Sequence, residues 1–256
     1  MDKSVVVIVM AGGLGKRMES NIPKVLHKIE GISMINHILL KIKVLRSLVN
    51  LEKVIIVVGK YEAQIREDIE KCVESSESLN IKYVNQKEPL GTGHAVQCCR
   101  EELLHHLNSD VLILSGDVPL ISISTMLNLL KLPNQVKLIT TKLSNPEGYG
   151  RVIINRGVFD KIVEQKDCSG KELSITTINC GIYAINSMLL SKYLPYLKNE
   201  NKQNEFYLTD IIEIIKREET TPIGIFEVKE ENKFEIIGVN TMEQLMELNA
   251  LIKKKN

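Results

Sequence analysis

Residues 5–18 read VVVIVMAGGLGKRM, an unbroken apolar run followed by a loop with three glycines in four positions. The run Val5–Met10 shows no alternation of polar and apolar residues, so it predicts a strand that is buried on both faces of a parallel sheet. Gly12, Gly13 and Gly15 allow the loop backbone to approach a ligand closely, and N–H groups in such a turn can hold phosphate oxygens. The stretch predicts a strand, a phosphate-facing loop and a helix, with a tight turn that binds nothing as the alternative.

The spacing of this loop disagrees with two well-known phosphate-binding motifs. A Rossmann dinucleotide fingerprint requires a third glycine where this chain has Met18. A P-loop requires glycine at Met10 and serine or threonine at Arg17. Arg17 and Lys24 still add positive charge nearby. Lys24 follows Pro23 and precedes apolar residues, which favours a positioned side chain, although a surface lysine on an apolar stem is the alternative.

The first half of the chain continues to alternate strands with helices. Further apolar runs predict buried strands at Val54–Val58, Val111–Leu114 and Val136–Leu143. Amphipathic segments between them predict helices at about Met34–Leu45, Ala63–Cys72 and Ala95–Leu104. This order implies right-handed βαβ units, so we expect an α/β fold with a doubly wound sheet.

From Gly150 the pattern changes to strands without long helices between them. These strands are predicted at Arg151–Asn155, Val158–Val163 and Thr177–Ala184. We expect a smaller antiparallel or mixed lobe at about 146–222, beside a lobe of about 1–145 plus C-terminal elements, in one domain over 1–256. The remaining predicted elements are helices Met188–Leu197 and Thr209–Arg217, strands Ile223–Val228 and Phe234–Gly238, and a terminal helix at about 241–254 with Asn240 as its N-cap.

Composition narrows the classes of function. A net charge of +1 argues against a nucleic-acid binder that neutralises phosphates. The five cysteines are odd in number and contain no CxxC pair, which predicts reduced thiols and a cytoplasmic location. No apolar run is long enough to cross a bilayer and the first residues lack a signal-peptide pattern, so we expect no membrane partner. The apolar pattern of the last helix suits packing on its own domain or on a second copy, which leaves the oligomeric state open.

The stretch MAGGLGKRMESNIPKVLHKIEGISMINHIL, residues 10–39, resembles the opening of the sugar-nucleotide pyrophosphorylases. The similarity is closest to the uridyltransferase half of bacterial N-acetylglucosamine-1-phosphate uridyltransferase. Further blocks follow in the family's order: NQKEPLGTGHAV, LILSGDVPLI, NPEGYGRVI, KIVEQKDCS, INCGIYAI, NEFYLTDII and IIGVNTMEQL. The chain departs from the family at Lys16 and Cys180, where threonine is usual, and at Ser115, where tyrosine is frequent. It contains no hexapeptide repeats, so acetyl transfer is not expected.

This resemblance implies a Rossmann-like mixed sheet of the nucleotide-diphospho-sugar transferase type, with a smaller sugar-binding lobe. It also implies a Mg²⁺-dependent enzyme that joins UTP to N-acetylglucosamine 1-phosphate and releases pyrophosphate. Asp117 and Asn240 match the family's metal ligands, and Arg17 and Lys24 would hold the phosphates as catalytic residues. The implied nucleotide contacts are Met10, Ala11, Gly12, Gly13, Gln86, Gly91 and Thr92, and the implied sugar contacts are Gly150, Glu164 and Asn179.

The residues themselves leave simpler interpretations open. Asp117 follows a predicted parallel strand, where ligands gather in α/β sheets and where a carboxylate suits Mg²⁺, but it could equally cap a turn. Asn240 could be only a helix N-cap, and Gln86 a solvated loop amide. His94 is expected to form structural hydrogen bonds, because the attacking phosphate is already ionised and needs no general base.

Three other functions stay open. One is a related pyrophosphorylase that uses another nucleotide or a hexose 1-phosphate. The second is a catalytically silent subunit that senses sugar nucleotides. Such a subunit would be expected to lack the metal ligand or the lysine that holds the phosphates, but this chain retains Asp117 and Lys24 at those positions. The third is an NAD-dependent enzyme, which the glycine spacing disfavours.

Overall fold

The computed structural model describes residues 3–72 and 79–255. Its strands, in chain order, are β1 (Val5–Met10), β2 (Lys28–Ile29), β3 (Ile32–Ser33), β4 (Leu51–Val58), β5 (Ile81–Asn85), β6 (Asp110–Ser115), β7 (Val136–Lys142), β8 (Arg151–Asn155), β9 (Val158–Val163), β10 (Thr177–Asn186) and β11 (Ile223–Glu227). Its α-helices are α1 (Met34–Leu45), α2 (Glu62–Cys72), α3 (Thr92–Gln97), α4 (Arg100–Leu103), α5 (Ile123–Lys131), α6 (Gly170–Leu173), α7 (Ser187–Tyr193), α8 (Asp210–Glu219) and α9 (Met242–Lys255). Short 3₁₀ helices lie at Lys16–Met18, Lys24–Leu26, Leu194–Tyr196 and Glu230–Ile236.

The large sheet is mixed, as expected. Its main path runs β11-β7-β10-β6-β1-β4-β5. β1 pairs in parallel with β4 and β6, and β4 pairs in parallel with β5. β11 is parallel to β7, whereas β10 is antiparallel to both β6 and β7. The predicted α/β class with a doubly wound mixed sheet is therefore confirmed.

Both faces of the central strand β1 are covered. Val5, Val7 and Val9 join a hydrophobic cluster with residues of α1 and α5, while Val6 and Ile8 join a second cluster with residues of α3, α7 and α8. Burial of each such side chain stabilises the fold by about 1.5–3 kcal/mol. This two-sided burial explains why the sequence of the strand is apolar throughout rather than alternating.

The strand β10 connects the second half of the chain to the large sheet. Its N-terminal part pairs Ile178 with Arg151 of β8, and β8 forms an antiparallel hairpin with β9. Its C-terminal part pairs Tyr183 with Ile113 of β6. The prediction that placed Thr177–Ala184 with the smaller lobe is therefore only partly right, because this strand is also a central strand of the large sheet.

Two predicted elements, at Ala95–Leu104 and Phe234–Gly238, differ from the structure in more than their exact ends. The helix expected at Ala95–Leu104 begins earlier and divides into α3 and α4, because the N–H of Cys99 bonds to Val96 three residues back and interrupts the regular ladder. The strand expected at Phe234–Gly238 does not form, because residues up to Ile236 belong to the 3₁₀ helix Glu230–Ile236 and the next residues are irregular. The N–H of Val239, just after this segment, donates to the carbonyl of Asp117, which lies in a loop rather than in a strand.

The terminal helix is confirmed, but its predicted cap is not. α9 starts at Met242, so Thr241 precedes the helix, and its Oγ1 accepts from the N–H of Gln244 (3.3 Å). The Oε1 of Gln244 accepts in turn from the N–H groups of Thr241 (3.2 Å) and Asn240 (2.7 Å). This is a capping box, and it leaves the side chain of Asn240 available for another role.

One face of α9 packs on its own chain. Leu245 and Leu248 are buried against Met18 and Ile29, while Met246 is 60% exposed. All five cysteines are free thiols. Within residues 3–72 and 79–255, no helix combines the length and the apolar character that a membrane span requires.

Candidate active site

The candidate site lies where the carboxyl ends of β1 and β6 meet. Met10, the last residue of β1, pairs with Ser115, the last residue of β6. The N–H of Gly116 donates to the carbonyl of Met10 (2.9 Å), and a Cβ on Gly116 would lie 2.7 Å from that oxygen. Only glycine permits this approach, which directs the following residue, Asp117, over the strand ends.

Residues predicted to bind a metal ion or phosphate, which are distant in the sequence, lie close together at this edge of the sheet. The N–H of Val239 donates to the carbonyl of Asp117 (2.8 Å), which brings the next residue, Asn240, close. Lys24 Nζ donates to Asp117 Oδ2 (2.5 Å) and to Asn240 Oδ1 (3.0 Å). Arg17 Nη2 also donates to Asn240 Oδ1 (3.0 Å). The carboxylate and the amide oxygen therefore face one cationic nitrogen.

The position of Lys24 depends on the glycine-rich loop. Lys24 opens the 3₁₀ helix Lys24–Leu26, in which Val25 is buried. Gly15 has a φ of +60°, and a Cβ there would lie only 2.7 Å from the Cβ of Lys24. Both the backbone angle and the close contact require glycine at this position. The expectation of a positioned lysine is confirmed, since its side chain is only 15% exposed.

The carboxyl group of Asp117 is held in its ionised form. Burial alone would raise the pKa of Asp117, but the positive charge of Lys24 and its hydrogen bond outweigh burial. Ser115 adds a hydrogen bond to Oδ1 (2.6 Å). The net result is a lowered pKa of Asp117, so this side chain carries a negative charge at neutral pH.

The donor set fits a small, hard divalent cation. Asp117 Oδ2 and Asn240 Oδ1 converge on the point where Lys24 Nζ lies. Such cations prefer oxygen ligands, and Mg²⁺ is commonly bound by one or two protein oxygens together with waters and substrate phosphates. Asp117 and Asn240 are therefore the residues that could hold a metal ion here.

A first cavity lies on the side of the glycine-rich loop. It is lined by Lys24 and by most of the predicted nucleotide contacts, namely Met10, Gly12, Gly13, Gln86, Gly91 and Thr92. The predicted contact Ala11 is buried under the loop, where its N–H donates to the carbonyl of Val57 (2.8 Å).

Gln86 is an internal amide rather than a solvated one. Its side chain is buried, and Nε2 donates to the carbonyl of Gly91 (3.0 Å) and lies 3.2 Å from Nδ1 of His94. Oε1 lies close to Gly12, where a Cβ would be 3.2 Å away. The structural role expected for His94 is confirmed by this contact. Because Nε2 is engaged, Oε1 is the part of the amide that is left to bind a ligand.

A second cavity adjoins the first and shares Met10, Thr92, Ser115 and Asp117 with it. It extends between β10, the start of α8 and the end of β9, and includes the three predicted sugar contacts Gly150, Glu164 and Asn179, together with Arg17, Tyr149 and Asn240. The N–H of Asn179 donates to the carbonyl of Gly150 (2.9 Å). The group formed by Asp117, Asn240, Lys24 and Arg17, called the charged centre below, thus lies at the boundary between the two cavities.

The far wall of the second cavity carries the carboxyl group of Glu164, and other carboxyl groups lie close behind it. Burial raises the pKa of Glu164, and the charges of Asp167 and Glu205 raise it further, against a hydrogen bond from Thr209 Oγ1 (3.1 Å). Burial and the neighbouring carboxylates raise the pKa of Asp210 to about 6. This wall is suited to accept hydrogen bonds from hydroxyl groups.

We expect Asp210 to make stability depend on pH. Its folded pKa of about 6 exceeds the ordinary value of 3.8, so the neutral form stabilises the fold and this contribution is lost as pH rises through 6. Asp210→Asn should therefore stabilise the protein more at pH 8 than at pH 5, by about 1 kcal/mol. Thermal unfolding at both pH values measures this difference, with the exposed Glu101→Gln as the control. An equal change at both pH values would contradict it.

Sequence reasoning missed several residues of these cavities. Ser115 was noted only as a departure from the family, and Thr209 only as a helix start, yet both hydrogen-bond to site carboxylates. Tyr183 was not singled out, although it lines the second cavity. Little in the sequence indicated that Tyr183 belongs to a ligand site, since a tyrosine inside an apolar strand is typical of a core residue.

Comparison with known proteins places these features in a family. A family profile described as nucleotidyl transferase matches residues 6–229. The chain is 40% identical over 252 residues to a probable UDP-N-acetylglucosamine pyrophosphorylase of Acanthamoeba polyphaga mimivirus, with 96% of each chain covered. It is 40% identical over 253 residues to the bifunctional protein GlmU of Clostridium botulinum strain 657, covering 97% of this chain and 52% of that one. The chain thus spans about half the length of this bifunctional relative.

Two solved structures share the fold at low identity. One is a UDP-glucose pyrophosphorylase complexed with UDP-glucose, with a TM-score of 0.73, 19% identity and full coverage of both chains. The other is a putative glucose-1-phosphate thymidylyltransferase from Bacillus anthracis in complex with a sucrose, with a TM-score of 0.71 and 20% identity over 98% of this chain and 96% of that one. The expected nucleotide-diphospho-sugar transferase fold is therefore confirmed.

Proposed function

This chain belongs to the nucleotidyl transferase family, and from that premise we propose that it forms UDP-N-acetylglucosamine and pyrophosphate from UTP and N-acetylglucosamine 1-phosphate. The observation that carries the proposal is the charged centre of Asp117, Asn240, Lys24 and Arg17 at the boundary of two cavities. One cavity suits the nucleotide and the other suits the sugar. The choice of this substrate pair rests on the relatives with 40% identity.

The reaction needs positioning rather than covalent catalysis. A phosphate oxygen of the sugar 1-phosphate attacks the α-phosphorus of UTP, and the bond to the leaving pyrophosphate breaks on the opposite side. Both reactants are anions, so the chain has to align them and neutralise their charge. Alignment of this kind supplies about 7–11 kcal/mol of the barrier. Because the attacking oxygen is already ionised, no general base is required.

We assign the positively charged side chains of Lys24 and Arg17 to different phosphate groups of the substrates. Lys24 lines the nucleotide cavity and lies beside Asp117, which lines both cavities. It is therefore placed for the α-phosphate and the sugar phosphate, where charge builds up in the transition state. Arg17 lines the second cavity and donates to Asn240 at the boundary between the two cavities, and from there it would hold the β- and γ-phosphates of the leaving group.

Uracil recognition is assigned to Gln86 and the loop backbone. The Nε2 group of Gln86 is committed to Gly91, so its Oε1 is the atom available as an acceptor. The pairing edge of uracil presents a single N–H donor between two carbonyl oxygens, which matches one amide oxygen flanked by backbone N–H groups. Gly12 and Gly13, together with Gly91 and Thr92, would supply those backbone contacts.

Members of this family generally use a divalent metal ion, and Mg²⁺ is the ion that we propose here. Asp117 and Asn240 would hold it. When bound, the ion would neutralise phosphate charge beside the reacting phosphorus. Lys24 now lies between the two oxygens, and we expect it to turn toward the phosphates when metal and substrates enter.

The proposal includes a cytoplasmic location, which the five free thiols support. It leaves the oligomeric state open. The sugar-nucleotide sensor is disfavoured because the charged residues it would be expected to lack are present and lie together. A relative with another base or sugar is the remaining alternative.

A pyrophosphate-release assay distinguishes these functions. The panel pairs UTP, dTTP, CTP, GTP and ATP with N-acetylglucosamine, glucosamine and glucose 1-phosphates, with Mg²⁺ or with a chelator. We expect UTP with N-acetylglucosamine 1-phosphate and Mg²⁺ to give the highest kcat/KM. If that pair were among the poorest, the specificity would be wrong, and if no pair released pyrophosphate, the silent subunit would be favoured.

A further inference from the structure

Tyr183 is a buried side chain in the sugar cavity that the proposed reaction does not yet use. It lies on β10, is 2% exposed, and lines the cavity together with Asn179. Asn179 Nδ2 donates to the Tyr183 hydroxyl (2.6 Å), and the backbone N–H of Gly181 donates to Asn179 Oδ1 (3.3 Å). Because a backbone N–H can only donate, the Gly181 contact determines which end of the amide faces Tyr183.

The Tyr183 hydroxyl has an unused donor. It accepts from Asn179, so its own proton has to point elsewhere. Among residues 3–72 and 79–255, Asn179 is the one hydrogen-bond partner of this hydroxyl. Burial raises the pKa of Tyr183 well above its usual range, and the nearby charge of Glu164 acts in the same direction. The hydroxyl therefore stays protonated and needs an acceptor oxygen from a ligand.

A second unused donor lies beside the first. The Nδ2 group of Asn179 carries two N–H donors, and one of them is committed to Tyr183. Glu164, on the same cavity, offers the opposite chemistry, since its carboxyl group supplies acceptor oxygens. The cavity thus combines a pair of neighbouring donors on β10 with an acceptor at the end of β9.

We propose that Tyr183 is a specificity-determining residue that donates, beside Asn179, to the carbonyl oxygen of an N-acyl substituent and so selects an N-acylated sugar 1-phosphate. A carbonyl oxygen has two lone pairs and no proton, which matches two donors. An ammonium group has no lone pair and would leave both donors unpaired, and a hydroxyl has to place its own proton as well. The inference rests on the proposed function and specifies the sugar class of that site.

The donors are held rigidly. β10 is paired on both sides, since Tyr183 lies opposite Ile113 of β6 and Leu138 of β7. The tyrosine ring belongs to the hydrophobic cluster on that face of the sheet. A pair of donors on a central strand cannot easily turn to satisfy a different substituent, which is the arrangement that rejects analogues lacking the acceptor.

Tyr183→Phe tests the proposal, because it removes the hydroxyl and retains the ring. We expect kcat/KM for N-acetylglucosamine 1-phosphate to fall about tenfold, mainly through KM, as the loss of one hydrogen bond predicts. With glucosamine 1-phosphate and glucose 1-phosphate it should change less than twofold. The matched control is Tyr193→Phe, a buried tyrosine whose hydroxyl donates to Glu219 (2.6 Å) and lines neither cavity.

The outcomes separate this inference from the proposed function. An unchanged ratio of kcat/KM between acylated and non-acylated sugars would overturn the role of Tyr183, whether or not both activities fall. A wild-type protein that prefers a non-acylated sugar would contradict the proposed function itself. If the variant does not fold, the wild-type protein can be tested with N-trifluoroacetylglucosamine 1-phosphate, whose carbonyl oxygen is a weaker acceptor. Its KM should be severalfold higher than that of N-acetylglucosamine 1-phosphate, and an equal KM would also overturn the role of Tyr183.

Discussion

Asp117→Asn should lower kcat for pyrophosphate release by about 10³, because it removes the one negative charge on which the charged centre depends. The amide retains the shape of the side chain and one oxygen, so neither cavity changes in size. It is uncharged, however, and would weaken the hold on a divalent ion. It would also lose the ion pair that orients Lys24 (2.5 Å).

The control for this variant is Asp160→Asn, a surface change on β9 whose side chain is 42% exposed. It should leave kcat within twofold of the wild-type value. Thermal unfolding of both variants shows whether the fold is intact. A folded Asp117→Asn protein that retained more than a tenth of wild-type kcat at saturating Mg²⁺ would contradict the role of this carboxylate.

Lys24→Met should lower kcat about 10²- to 10³-fold with a smaller change in KM for UTP. The methionine retains the apolar stem that packs beside Gly15, but it removes the charge placed for the α-phosphate. A donor aimed at charge that develops in the transition state contributes to turnover more than to substrate binding. Steady-state kinetics with both substrates varied separates the two parameters.

The matched control here is Lys28→Met, since Lys28 is exposed a short distance along the chain. It should behave like the wild-type protein. A kcat for Lys24→Met within twofold of wild type would exclude a catalytic role for this lysine.

The strands β1, β4, β6 and β7 of the large sheet were predictable because they are largely buried, whereas the edge strand β5 is partly exposed and its sequence did not predict it. Val5–Met10 matches β1 at both ends, since an uninterrupted apolar run leaves little choice of structure. The segment Phe234–Gly238 was not predictable in the same way. Its local pattern suits a strand, but its first residues end a 3₁₀ helix, and the N–H of Val239 just after it bonds to the carbonyl of the distant Asp117. That information is tertiary and does not appear in the local sequence.

The site was predictable where side chains follow a recognisable strand end or motif. Asp117 and Lys24 stand beside such signals, and the resemblance to a family supplied Asn240. The hydrogen bonds that orient these groups were not predictable. Ser115 contacts Asp117 two residues further on, and Tyr183 contacts Asn179 four residues earlier on β10. Nothing in this spacing distinguishes such a contact from ordinary packing.

A crystal structure with UDP-N-acetylglucosamine and Mg²⁺ bound would show whether these residues form the active site. We expect uracil beside Gln86, the sugar between Glu164 and Asn179, and the metal ion in contact with both Asp117 and Asn240. A product bound outside these two cavities, or a metal ion that contacts neither Asp117 nor Asn240, would contradict this expectation.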